Sequence, residues 1–275
     1  MTRTLSGRTV VMSGGSRGIG LAIALRAARD GANIVLLAKT AEPHPRLEGT
    51  VFTAVEQIER VGGKALAVVG DVRNEADVDA AVRQAVDTFG GIDIVVNNAG
   101  AIQLSGTEQL EMKRYDLMQD INTRGTFLLS KAAIPHLRAS ANPHILSLSP
   151  PLNLSPHWIG RHLGYTLSKY GMSLCTLGLA EEFAKDGIAA NSLWPRTLID
   201  TAAVRNVIGG ADRARTPQIV ADAAHAVLTR AAGECTGNLF IDDEVLAAEG
   251  VRDLSGYRAA DASGELELDI FVDPA

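Results

Sequence analysis

Short runs of β-branched and aliphatic residues alternate along the chain with longer stretches whose apolar positions recur every three or four residues. RTVVMSGG (8–15) is apolar along its length and ends in glycines, which predicts a buried strand. LAIALRAARDGA follows at helical spacing and closes on Gly31, a C-cap residue. NIVLLA (33–38) reads as a second strand and VFTAVEQIERVGG (51–63) as the helix after it. ALAVVGDV (65–72), DIVVNNAG (93–100), HILSLS (144–149), IAANSLW (188–194) and NLFID (238–242) read as further strands. Helical stretches such as ADVDAAVRQAVDTFG and GYTLSKYGMSLCTLGLAEEFAKDG lie between them. Strands apolar on both faces and separated by helices argue for a parallel sheet of about seven strands, covered on both sides. Right-handed crossovers then give an α/β, Rossmann-like, doubly wound fold.

The alternation breaks in three places. TAEPHPRLEGT (40–50) reads as a loop because prolines flank His44, and RNVIGGADRARTP (205–217) as a loop or lid. Beyond Gly250 the chain turns acidic and loses its periodicity. Residues 1–250 are therefore expected to form one domain, and 251–275 a tail docking on it or on a neighbouring subunit. A chain of 275 residues, 46% hydrophobic and 21% charged, can bury a core without disulfides, which excludes a disordered or cysteine-stapled protein. The net charge of −6 argues against nucleic acid as a partner. No apolar run approaches the roughly 18 residues of a membrane span, and the opening MTRTLSGRTV lacks a signal-peptide core. Together with two unpaired cysteines, these features make the cytoplasm the expected location. The six histidines show no metal-ligand spacing, so no metal is expected.

The first strand leads into Ser13-Gly14-Gly15-Ser16-Arg17-Gly18-Ile19-Gly20, and a helix starts there. The spacing is GxxxGxG rather than GxGxxG, but the physics is shared. Gly14 permits a tight turn, Gly18 lets the backbone approach a pyrophosphate, and Gly20 allows close helix–strand packing. Ser13, Gly14, Ser16, Arg17, Gly18, Ile19 and Gly20 are thus candidate cofactor contacts. NAD sites commonly carry an acid at the end of the second strand, about 20 residues after the glycines. Here that place reads Ala38-Lys39-Thr40, with Glu42 beyond. Lys39, helped by Arg17, suits a 2′-phosphate, so NADP(H) is preferred over NAD(H).

Tyr165 and Lys169 are four apart on a predicted helix and share a face. A tyrosine hydroxyl, with a pKa of about 10, needs a nearby ammonium to act near neutrality. YxxxK alone is common. Combined with GxxxGxG, with NNAG (97–100) and with Asn122 in INTRGTF, it resembles the short-chain dehydrogenase/reductase family from about residue 5 to 245. The runs LLAKTAEPHPRLEGTVFTA, SLSPPLNLSPHW, NSLWPRTLIDTAA and TGNLFIDDEVL are similar to its hydroxysteroid dehydrogenase-like branch. Animal members of that branch append a sterol-carrier domain, and no lipid-handling role is carried over here. The resemblance implies that Tyr165 exchanges a proton with the substrate oxygen. Lys169 tunes it and holds the nicotinamide ribose, and Asn122 anchors a relay water. Asp71 and Val72 would contact the adenine, and Asn98, Ala99 and Gly100 would line the cofactor's path. Pro195 and Thr197 (with Thr201) would lie on the nicotinamide side. Family members usually form homotetramers or homodimers.

Two departures from the family's pattern stand out. The serine expected 13 residues before the tyrosine is Leu152, and matching the strand end gives Pro150 instead. Neither can donate a hydrogen bond. Ser149 is the nearest hydroxyl and is the candidate carbonyl holder, with Ser147 and Asn153 as alternatives. The usual Pro-Gly after the sixth strand is Pro195-Arg196. Trp158 and Trp194 flank the expected cleft. The expected activity is carbonyl–alcohol interconversion on a small molecule, with an NADP(H)-binding sensor of little turnover as the alternative.

Overall fold

A computed structural model describes residues 3–44, 48–259 and 264–274 of the chain. Positions 45–47 of the predicted loop, and 251–275's positions 260–263 and 275, lie outside the described residues. Seven strands are present: β1 (Thr9–Ser13), β2 (Asn33–Ala38), β3 (Lys64–Val69), β4 (Ile94–Asn97), β5 (His144–Ser147), β6 (Ala189–Trp194) and β7 (Leu239–Ile241). They form one parallel sheet in the order β3-β2-β1-β4-β5-β6-β7. Chain order reverses between β1 and β4, so a crevice opens outside the carboxyl ends of those two strands.

The helices are α1 (Gly18–Arg29), α2 (Val51–Arg60), α3 (Glu75–Phe89), α4 (Met112–Met118), α5 (Gly125–Leu137), α6 (Pro156–Arg161), α7 (Leu163–Glu182), α8 (Gln218–Leu228) and α9 (Asp242–Ala248). Alternation along the strands splits the core in two. Val10, Met12, Leu36 and Val96 pack with α1 and α8, while Val11, Val35, Val95 and Ile145 pack with α3 and α5. Local chemistry sets the helix ends. Thr50 and Thr53 form a reciprocal cap on α2, Asn74 caps α3, and Gly90 ends it at φ 86°. Both sheet edges are modest: β3 opens on the exposed Lys64, and β7 has only three residues.

The seven predicted strands are all present. Their carboxyl ends are shorter than the apolar runs implied: Gly70–Val72 and Asn98–Gly100 leave the ladder to line the crevice, and Leu148–Ser149 leave it as well. The predicted loop at 205–217 holds a π-helical turn (Val204–Ile208) and a 3₁₀ turn (Ala211–Arg213). Residues 264–274 run back over the domain: Leu268 bridges Thr197 in antiparallel fashion, and the Asp269 N–H donates to Arg196 O at 2.9 Å. No helix among the described residues is long and apolar enough to cross a membrane.

Leu36 joins the core to the crevice, since a Cβ on Gly15 would lie 2.5 Å from its Cδ2. Leu36→Ala is expected to lower stability by about 2–5 kcal/mol, read from the midpoint of urea unfolding.

Candidate active site

The crevice holds a groove of about 480 Å³ lined by the glycine loop, the ends of β2 and β3, Asn98–Gly100 and residues 201–207. The ends of β1 and β4 are stitched together at its floor. Ser13 Oγ accepts from the N–H groups of Asn98 and Ala99 at 3.3 and 3.1 Å. The Asn98 amide donates to Ser13 O and Gly14 O at 3.2 and 2.8 Å. Gly14, at φ 73°, leaves no room for a side chain: its Cβ would stand 2.8 Å from Ala99 Cα. A Cβ on Gly20 would meet the Asn98 amide at 2.4 Å.

These residues fit a dinucleotide. Helix α1 starts at the groove without a side-chain cap or an acid in its first turn, so its leading N–H groups are available to an anion. Ser16, Arg17, Gly18 and Ile19 line the groove there, with Lys39, Asp71, Val72, Asn98, Ala99 and Gly100 further along. Ser13 and Gly20 support the loop from beneath rather than line it. Arg17 is steered by Glu48 O and Gly49 O, to which it donates at 2.9 and 2.7 Å. Lys39 is half-exposed, 3.5 Å from Asp71. Burial works against the Asp71 carboxylate, yet hydrogen bonds from Arg73 and the charge of Lys39 hold it down to about 2.

Asn122, Tyr165 and Lys169 are buried and none of them lines the groove; Asn122 adjoins it at Gly100, where a Cβ would stand 3.6 Å from its Oδ1. Asn122 sits in a π-helical turn (Gln119–Arg124) between α4 and α5. Its side chain accepts from Ala101 N at 2.8 Å and donates to Ala101 O and Ser168 Oγ at 2.9 Å each, tying the β4 loop to α7. Lys169 Nζ donates to Leu148 O at 2.6 Å and stands 4.9 Å from the centre of a Trp194 ring. Burial pulls this ammonium down to about 7, against the opposing charge of Asp269. Tyr165 differs from the sequence expectation. Its hydroxyl is pushed above its ordinary value by burial and then by the charge of Asp269.

The stand-ins for the missing serine separate clearly. Ser147 Oγ accepts from Asn97 at 3.4 Å, and the Asn153 amide donates to Asp273 at 2.7 Å. Ser149 Oγ is buried with no protein partner, as is Thr197 Oγ1. Arg196, where the family has glycine, directs its guanidinium to Asp243 and Glu244 on α9. Pro195 and Thr197 lie beyond the groove, under residues 267–269.

Sequence reasoning missed residues 267–273. Phe271, 2% exposed, packs with its ring near Tyr165, Trp158, Tyr170 and Trp194 at centroid distances of 6.0, 6.0, 5.2 and 6.2 Å. Asp269 is buried and is pushed up to about 8, chiefly by burial. The one signal was the apolar pair Ile270-Phe271 inside an acidic stretch. Because the folded value of Asp269 exceeds its unfolded one, its stabilising share is complete below about pH 4 and is lost as pH rises through about 8. Asp269→Asn is therefore expected to lie closest to the native protein in melting temperature near pH 4 and to exceed it by a growing margin up to pH 9. Parallel melting profiles would contradict this.

The short chain dehydrogenase family profile matches residues 8–209. Hydroxysteroid dehydrogenase-like protein 2 of Xenopus tropicalis is 54% identical over 99% of this chain and 65% of that protein, and the Homo sapiens protein of that name is 52% identical over the same shares. The chain thus spans about two thirds of the length of these relatives. The crystal structure of a short chain dehydrogenase from Mycobacterium thermoresistibile superposes with TM-score 0.93 at 52% identity, over 98% of this chain and 96% of that one. NADH-dependent reductase A1-R′, complexed with NAD, superposes with TM-score 0.71 at 28% identity, over 86% and 95% of the two chains. With its glycine loop, asparagine turn and Tyr–Lys helix set around one crevice, the chain belongs to the short-chain dehydrogenase/reductase family.

Proposed function

We propose that the protein is an NADP(H)-dependent oxidoreductase interconverting a carbonyl and a secondary alcohol. The observation that carries this reading is the grouping of Asn122, Tyr165 and Lys169 beside a groove shaped for a dinucleotide. The cofactor supplies or accepts the hydride. Tyr165 gives its hydroxyl proton to the carbonyl oxygen, or takes it back from the alcohol. Lys169, whose ammonium donates to Leu148 O, would hold the nicotinamide ribose and stabilise the phenolate left behind. Ser149 Oγ, buried and unpartnered, holds the carbonyl. Asn122 positions a water for proton return, and Thr197 Oγ1 is free for the nicotinamide amide.

Lys39 and Arg17 in the groove support NADP(H), and no carboxylate ends β2. Among the described residues, Asp71 is the one acid lining the groove, and it is engaged by Arg73 and Lys39. The NADH-dependent relative shows that the fold also serves the other cofactor. Exposed Phe127 on α5 and exposed Leu167 and Leu174 on α7 give these helices apolar outer faces, which supports a homodimer or homotetramer.

Tyr165→Phe is expected to cut carbonyl turnover roughly 10²–10⁴-fold with unchanged NADPH affinity, measured as NADPH oxidation over a panel of aldehydes, ketones and diketones. Tight NADPH binding without turnover of any of them would instead favour a sensor. Lys39→Glu is expected to weaken NADPH binding about tenfold or more, from a lost charge-assisted contact of roughly 1.5–3 kcal/mol, and to spare NADH. Equal losses for both cofactors would remove the case for NADP(H).

A further inference from the structure

A carbonyl oxygen must reach the Tyr165 hydroxyl, yet Tyr165 is only 6% exposed and does not line the groove. The chain's own strap, Glu267–Asp273, covers it. Phe271 lies nearly parallel to the Tyr165 ring, at an interplanar angle of 22°. It completes a recess whose other walls are Trp158, Tyr170 and Trp194. Phe271 is also the one non-glycine residue at positive φ among the described residues, at 74°. A bulky residue there carries backbone strain that only its surroundings can hold.

Besides the apolar packing of Ile270, Phe271 and Val272 and the Arg213–Glu267 ion pair, side-chain hydrogen bonds tie the strap down. Trp158 Nε1 and the Asn153 amide donate to the two Asp273 oxygens at 2.8 and 2.7 Å, and Trp194 Nε1 donates to Ile270 O at 2.9 Å. Leu198 N donates to Glu267 O and Glu267 N to Arg213 O, so the strap hangs on the segment whose residues 201–207 line the groove. We propose that Phe271 fills the apolar subsite of the substrate, and that an apolar, ring-bearing carbonyl compound takes its place when the strap lifts. An apolar recess beside the proton donor is filled by a strained phenyl group on a strap with an anchor at its tip. A planar apolar ketone offers the same recess equivalent contacts without that strain. The inference rests on Tyr165 being the proton donor.

The protein has two tryptophans, and both donate to the strap, so their emission reports its position. Acetophenone is titrated into the protein saturated with NADP⁺, a pairing of ketone with oxidised cofactor that cannot turn over. The expected result is a shift of tryptophan emission in the native protein. Asp273→Ala cuts both ties at the tip, the one to the Trp158 wall included, while keeping every ring of the recess in the chain, and is expected to bind the ketone roughly three- to tenfold more tightly. Phe271→Ala is expected to show the shifted emission before any ketone is added. Unchanged ketone affinity in Asp273→Ala, or no ketone binding by any of the three proteins with cofactor bound, would overturn the occupancy of the subsite. Failure of all three to bind either NADP⁺ or NAD⁺ would overturn the oxidoreductase reading itself.

Discussion

The site depends on the close approach of two strand ends. Where β1 and β4 diverge to opposite sides of the sheet, Ser13 and Asn98 cross-link their backbones, and Gly14 and Gly20 keep the space free of side chains. Both strands carry buried residues into both halves of the core, so their ends cannot drift apart without disturbing α1 and α3 together. A crevice held in this way is ready for an anion before one arrives. The uncapped start of α1 faces a fixed wall, and binding need not order the loop.

The fold was legible because strands buried on both faces cannot hide their composition. NIVLLA and IDIVVNN read as central parallel strands wherever they occur, and the glycines at 14, 18 and 20 mark a place where only backbone fits. The Tyr165–Lys169 pair was legible for a geometric reason, since four residues on one helix fix their relative position. The strap was not, because its meaning is wholly non-local. Phe271 gains its place from rings on α6, α7 and β6, and nothing within ten residues of it in sequence hints at them. The electrostatic state of the pair was also hidden. Charge proximity predicts a lowered tyrosine, but the fold desolvates both groups and burial wins.

That reversal gives the cofactor a second role in the proposed reaction. Lys169 has a single strong backbone acceptor, Leu148 O, and an aromatic face, which is poor compensation for a buried ammonium. Polar hydroxyls and a phosphate-bearing ligand nearby would raise its charge occupancy and, through it, lower the tyrosine. In the proposed reaction the acid–base pair would thus be armed by occupancy of the groove rather than held permanently active. An idle enzyme of this kind does not carry a reactive phenolate.

The sheet's margins have a consequence of another kind. Open parallel sheets present unpaired N–H and C=O rows at both ends, which can template growth by a foreign strand. Here one margin starts with a solvated lysine and the other spans three residues before the chain turns into α9. The β7 margin is too short to offer a long ladder to an incoming segment, and the six-residue β3 margin meets it with a charge. Crowded or partly unfolded copies are thus poorly equipped to stack edge to edge into fibrils, and that protection comes from brevity and charge rather than from a covering element.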